Sequence, residues 1–133
     1  MAEPLLLAID QGTGSTKCLL VGSDGRVVSR VASLVNVEYP APGWVEQSPD
    51  GIWRSVVDAV AACLQGHDSN QVAAVGLSNQ RESVLLWERA SGRPLGPILG
   101  WQDQRTSAEC ERLRLAGLGA TVRQLSGLPL DPM

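Results

Sequence analysis

The chain has 133 residues, 44% of them hydrophobic, and a formal net charge of −3. That suits one domain of ordinary size with a sizeable core. The acidic balance argues against a general nucleic-acid binder, which needs a basic face. With no Phe and one Tyr, the core has to come from Val, Leu, Ala and the four Trp.

In chain order, "PLLLAID" is a short apolar run ending at an acid, and it reads as a buried first strand. "TKCLLVG" follows after one tight turn. "SDG" (Ser23–Gly25) is a hairpin signal, because Asp-Gly tolerates the positive φ of a type I′ turn. "RVVSRVASLVNV" is a third, longer and partly exposed strand, which completes an antiparallel meander. "NVEYPAPGWVEQSPDG" is a loop rich in Pro and Gly. Ser48 suits a helix N-cap and Pro49 the first helical position. Ile52, Val56, Val57, Val60, Cys63 and Leu64 recur at helical spacing, and "QGHDSN" ends that helix. "QVAAVGLS" reads as a strand of the buried type. A helix between two strands makes them parallel, so a crossover is expected here. "SVLLWE" and "LGPILGW" read as paired strands around the turn "RASGRP". A helix from Asp103 to about Ala116 should stop at Gly117, and a short helix near Ala120–Leu125 precedes "SGLPLDPM". That Pro-rich, uncapped end fits either a natural tail or a chain cut within a larger protein.

Cys18, Cys63 and Cys110 are odd in number and far apart. They fit neither a disulfide framework nor a zinc site, and read as buried free thiols in a reducing cytosol. The N-terminus lacks the basic segment and long apolar core of a signal peptide. Leu5 to Ile9 is too short a run to span a membrane, so a cytoplasmic location is expected.

Three stretches carry candidate chemistry. In "AIDQGTGSTKCLL" a glycine turn joins two strands. It is not a Walker A loop, because Thr16 rather than Gly precedes Lys17. It is not a dinucleotide fingerprint either, because the turn opens a strand and not a helix. What remains is a turn that can aim consecutive backbone N–H groups at a phosphate. Gly12 and Gly14 leave the approach free, and Thr13, Ser15 and Thr16 offer hydroxyls. Asp10 could hold Mg²⁺ directly or through water. A plain β-turn is the alternative.

In "LSNQRES", the strand Val72–Leu77 delivers Asn79, Gln80, Arg81 and Glu82 to its carboxyl end, where ligands bind in open α/β sheets. Arg81 only donates hydrogen bonds and ionised Glu82 only accepts, a pairing that can grip neighbouring hydroxyls of a polyol. A solvated Arg–Glu surface pair is the alternative. In "GWQDQRT", Trp101 can wall the carbon face of a polyol, or be an ordinary core Trp. Trp44, Trp53 and Trp87 read only as core. Gln102, Asp103 and Arg105 read as helix-capping and surface groups, and His67 as a loop residue without a role. No Ser-His-Asp order or metal-ligand cluster stands out.

Together these stretches resemble the N-terminal part of the FGGY carbohydrate kinases, and most closely the glycerol kinases among them. The resemblance rests on "AIDQGTGSTK", "YPAPGWVEQSPDGIW", "QVAAVGLSNQRESVLLWERASGRPLGPILGWQDQRT" and "GLPLDP", in the family's order and over nearly the whole chain. It implies an α/β, ribonuclease-H-like domain of the actin-like ATPase (sugar kinase, Hsp70, actin) superfamily, incomplete at its C-terminal end. Residues 1–133 would be the first part of the substrate-side N-terminal domain, without the rest of it or the C-terminal domain. It also implies transfer of the ATP γ-phosphate to a polyol or sugar hydroxyl, with Mg²⁺, by a protein that is a homo-oligomer when full length. Asp10 would sit at the Mg²⁺–phosphate site. Gly12, Thr13, Gly14, Ser15 and Lys17 would occupy the nucleotide-phosphate positions. Gln80, Arg81 and Glu82 would bind polyol hydroxyls beside Trp101.

Some positions depart from the glycerol-kinase pattern. Gly14 stands for a hydroxyl residue, and Lys17 for a frequent Arg, replacing a bidentate fork by a point charge. Met133 stands for a Tyr that touches substrate, and Met cannot donate that hydrogen bond. Glycerol, a larger polyol and a sugar therefore all stay open. The family's catalytic base is an Asp well downstream, and the adenine pocket belongs mainly to the second domain. This chain alone is thus expected to be inactive, since phosphoryl transfer needs groups all around the phosphate. A non-catalytic polyol- or partner-binding module is the competing reading. A chaperone-type or sugar-sensor ATPase is a third, against which "NQRE" and "WQDQRT" speak.

Overall fold

The computed structural model of the chain describes residues 3–132; the departure at Met133 lies outside the described residues. Three strands open it: β1 (Leu5–Gln11), β2 (Ser15–Gly22) and β3 (Val27–Leu34). In β1, Leu5, Leu7, Ile9 and Gln11 are buried while Leu6, Ala8 and Asp10 point the other way. This is the period-two alternation of a sheet packed on one face. β2 pairs antiparallel with β1, placing Leu7 opposite Leu20, Ile9 opposite Cys18 and Asp10 opposite Lys17.

The β2–β3 hairpin is not a type I′ turn. Gly25 is its only residue at positive φ (83°); its N–H bonds Gly22 O, and Gly22 N–H bonds Arg26 O. One left-handed glycine and a register shift after Leu20 absorb the twist that I′ would have required of Asp24 as well.

Helix α1 (Pro49–Leu64) begins where expected, with Gly51 N–H donating to the Ser48 hydroxyl at 3.1 Å. Its buried seam is Ser55, Ala59 and Cys63, spaced four apart and all small, so the helix lies close on the sheet. Leu5, Leu7, Ile9, Cys18, Leu20, Ala59 and Cys63 form the core, flanked by Val31, Val56, Val60, Leu64 and Val72. A single 3-10 turn at Ser69–Gln71 leads into β5 (Val72–Asn79), which runs parallel to β1 as the crossover required. The four-stranded order is β3-β2-β1-β5.

The expected burial of the fourth long strand is overturned. Beyond Val72, β5 is exposed, with Val75 at 61% and Leu77 at 70%. Among the described residues it has β1 as its only neighbour in the sheet, and α1 packs over β1, β2 and β3. An apolar run marks a strand suited to cover, and cover is a tertiary matter. The Trp expectation also fails. Trp44, Trp53, Trp87 and Trp101 are all exposed, and Leu, Ile, Cys and Ala fill the core instead.

The loop before α1 holds a strand the sequence reading missed, β4 (Glu46–Gln47), paired with β6 (Ile98–Leu99). The hairpin of "SVLLWE" and "LGPILGW" survives as isolated bridges, Val84–Leu99 and Trp87–Pro94. Pro94 and Pro97 lack the N–H a continuous ladder needs. Helices α2 (Ser107–Leu115) and α3 (Leu118–Ser126) meet at Gly117, which is left-handed at φ 78°. All three thiols are free and buried; burial, and then Cys63 beside it, push the Cys18 thiol up, which keeps it inert. No helix among the described residues is long and apolar enough to cross a membrane.

Candidate functional site

The β1–β2 turn and the segment after β5 face each other at the carboxyl end of the sheet. Asp10, Gly12, Thr13, Asn79, Gln80, Arg81, Glu82 and Trp101 line one cavity of about 330 Å³ there. Asn79 is a lining residue to which sequence reasoning gave no separate role; its place at the end of β5 was the available signal.

Within the turn, Gly12 N–H donates to Ser15 O at 2.9 Å, and Val35 N–H donates to Gly14 O at 3.0 Å. Among the described residues this leaves the N–H groups of Thr13 and Gly14 without a protein acceptor, so the turn can present two donors to an anion. Neither Gly12 nor Gly14 has positive φ. At Gly12 glycine supplies space, since a Cβ there would press on Ser15 O at 3.3 Å, whereas a Cβ on Gly14 would meet no protein atom within 4 Å.

Thr16 is not a phosphate donor. Its side chain is fully buried, and its hydroxyl lies 2.7 Å from Ser55 Oγ. Ser55 already donates to Ile52 O, so Thr16 must donate to Ser55. Strand alternation turns Thr16 to the α1 side and its neighbour Lys17 to the open side. There Lys17 stands beside Asp10 in a second cavity of about 390 Å³, with Leu19, Arg30 and Ser78. Asp10 lines both cavities; Gly14, Ser15 and Lys17 line the shared one not at all.

Arg81 and Glu82 are exposed, and no ion pair joins them. Among the described residues neither side chain has an ion-pair partner, so both remain available to a ligand. Glu82 is the only non-glycine residue described at positive φ, 67°. It is held there from both sides: Ser83 Oγ donates to Gln80 Oε1 at 3.2 Å, and Val84 and Leu99 exchange backbone hydrogen bonds at 2.9 Å. A carboxylate kept in a costly backbone conformation at a cavity mouth is the pattern of a site that stores strain. Glu82→Gly should therefore raise stability by about 1 kcal/mol while removing the carboxylate. A urea titration showing Glu82→Gly no more stable than Glu82→Ala would refute the strain.

Trp101 is half-exposed, and its indole Nε1–H donates to Thr13 Oγ1 at 2.9 Å. It is a wall of the cavity and not core. The neighbours read as surface groups are largely inward. Asp103 is buried and accepts Val45 N–H at 2.7 Å and Arg105 Nε–H at 2.8 Å. Arg105 also reaches Glu46 at 2.7 Å and stacks 4.0 Å from the Trp44 ring centre. This triad anchors β4. The Arg105 guanidinium holds the Asp103 carboxyl at about 2. Gln102 Oε1 is buried without a protein partner among the described residues.

An antiparallel meander, a crossover helix and a parallel strand, with a glycine turn at the carboxyl end, define the opening of an actin-like ATPase domain. Solved structures agree. The gluconate kinase of Lactobacillus acidophilus superposes with a TM-score of 0.90 at 21% identity, over 98% of this chain and 26% of that one. Plasmodium falciparum glycerol kinase with ADP gives 0.86 at 24%, again over 98% and 26%. Residues 5–133 match the model of the FGGY family of carbohydrate kinases, N-terminal domain, and the chain belongs to that family. It is 45% identical over 128 residues to a glycerol kinase of Aromatoleum aromaticum, covering 95% of this chain and 26% of the relative. It is 39% identical over 133 residues to an apulose kinase of Pectobacterium atrosepticum, covering 100% and 27%. The chain thus spans about a quarter of the length of these relatives.

Proposed function

We propose that the chain is the N-terminal part of an ATP-dependent phosphotransferase acting on a hydroxyl of glycerol or a related polyol or sugar. The observation that carries this is the shared cavity: a phosphate-type turn and an unpaired Arg81–Glu82 couple open into one space. Arg81 donates to substrate hydroxyls, Glu82 accepts from them, and the Trp101 indole covers the carbon face. The N–H groups of Thr13 and Gly14 meet phosphate oxygens. Lys17, beside Asp10 in the neighbouring cavity on the open face, reads the nucleotide phosphates as a point charge.

Asp10 fits Mg²⁺. It is an exposed lone carboxylate with no cluster of three acidic, His or Cys groups around it among the described residues. Mg²⁺ characteristically keeps several waters and takes one or two carboxylates plus substrate phosphates. When bound it neutralises charge on the phosphates. In the overall reaction the substrate oxygen bonds to the γ-phosphorus, the bond to the β,γ-bridging oxygen breaks, and ADP leaves. The base that accepts the hydroxyl proton is assigned to none of this chain's residues, so the chain by itself turns nothing over. A cytoplasmic setting belongs to this proposal, supported by the three unpaired thiols.

The exposed Val75 and Leu77 favour a second reading, a module that binds a partner protein. One NMR series on the 133-residue chain separates the two. Glycerol, erythritol, ribitol and xylitol should each be titrated, then ATP with Mg²⁺. The kinase reading expects shifts at Glu82 and Trp101 with at least one polyol, and at Thr13 and Gly14 with ATP. Absence of both sets of shifts rejects it.

A further inference from the structure

We propose that Gln47 is a positioning residue that locks the phosphate turn to the Trp101 wall through a closed ring of hydrogen bonds. Gln47 is fully buried on β4, a residue to which no ligand-binding chemistry attaches. Its Nε2 donates to Thr13 O at 2.8 Å, and its Oε1 accepts Gln80 Nε2 at 2.9 Å. Gln80 Oε1 accepts the Ser83 hydroxyl at 3.2 Å, and Ser83 Oγ accepts Trp101 N–H at 3.3 Å. The Trp101 indole Nε1–H returns to Thr13 Oγ1 at 2.9 Å. Four side chains from three separate segments thus close on one residue of the turn.

The direction of every bond follows from the first. A backbone carbonyl can only accept, so Gln47 must turn its amide nitrogen to Thr13. Its oxygen is then the face left for Gln80, which must donate. That leaves the Gln80 oxygen for Ser83, whose single proton is used there, so Ser83 must accept from Trp101. The indole can only donate, so Thr13 Oγ1 must accept. The Thr13 hydroxyl therefore keeps its own proton, and the ring aims it as a donor into the cavity it shares with Asp10 and Gly12. Because each amide has one orientation that satisfies the ring, the turn and the wall have one relative placement. Gln47 at its centre is buried, and a polar network whose members are all paired specifies geometry in this way. Gln80, read from sequence as a substrate ligand, spends both ends of its amide holding this geometry.

The role of the ring in ligand binding rests on the kinase reading, but the ring is testable without any ligand. Hydrogen exchange of the Trp101 indole N–H, taken relative to that of the exposed Trp53 in the same sample, reports it. In the wild type the Trp101 proton should exchange at least tenfold more slowly. Thr13→Val should abolish the difference and so assign it. Gln47→Leu and Ser83→Ala should each cut the protection by threefold or more, without touching Trp101 directly from Gln47. Gln47→Glu adds a readout that packing alone would not move. An ionised carboxylate cannot donate to Thr13 O, whereas the protonated acid has the donor-and-acceptor pattern of the amide. Protection should be lost at neutral pH and return on acidification towards pH 5 in Gln47→Glu, and stay lost in Gln47→Leu. If Gln47→Leu loses its folded spectrum, Ser83→Ala decides. Trp101 protection unchanged in Ser83→Ala and in Gln47→Glu across that range overturns the proposal. In a parallel titration, polyols and ATP with Mg²⁺ that all leave the wild-type spectrum unmoved reject the kinase reading and not the ring.

Discussion

Asp103→Ala is expected to cost about 3 kcal/mol of folding stability, more than any surface substitution in the chain. Asp103 accepts from Val45 N–H and from the Arg105 side chain, and Arg105 in turn holds Glu46. Truncation leaves a buried backbone donor and a largely buried guanidinium short of a partner. Breaking a buried pair typically costs about 3–5 kcal/mol. The lower end applies because the Arg105 side chain keeps 20% exposure. The same group sets an acid limit. Its carboxyl is held at about 2 against an ordinary 3.8, so its contribution is complete above about pH 4 and is lost as pH falls from there towards 2. Urea titrations at pH 7 should show the loss, and Asp103→Asn should flatten the acid limb of the wild-type profile. A variant within about 0.5 kcal/mol of wild type would show the triad to be energetically idle. Since the triad anchors β4, Asp103→Ala should also loosen Gln47, its neighbour on the far side of Glu46.

Arg81→Ala is expected to weaken polyol binding by about ten- to a hundredfold while leaving the melting temperature unchanged. Hydrogen bonds to charged groups contribute about 1.5–3 kcal/mol each. Arg81 is exposed and makes no ion pair among the described residues, so little of the fold depends on it. Arg81→Lys should fall between, keeping the charge without the fork. Calorimetric titration of the polyol that binds the wild type best measures all three. An affinity for Arg81→Ala within twofold of wild type would remove Arg81 from the substrate grip.

Much of the fold was legible because it is written in local periods. The alternation of Leu5, Leu7 and Ile9, the Ser48-Pro49 helix start and the Gly117 stop each depend on neighbours a few residues away. The order of the glycine turn, the "NQRE" stretch and Trp101 was legible as well, and the cavity gathers residues from all three. Misreadings fell where a side chain's fate depends on distant cover. Val75 and Leu77 have the composition of buried residues but stay exposed, with no packed layer over them among the described residues. Thr16 looked like one hydroxyl among several until the face of β2 that it occupies met Ser55.

By itself, then, the sequence determined the α/β class, the antiparallel start with its crossover, and the residue types proposed to meet a phosphate and a polyol. Tertiary structure alone decided which of those residues share a space and which polar groups hold them. Gln47 reaches Thr13 across 34 positions, Gln80 reaches Gln47 across 33, and Trp101 reaches Thr13 across 88. Hydrogen-bond partners at such separations are set by strand register and by the pairing of β4 with β6, which leave no local period to read.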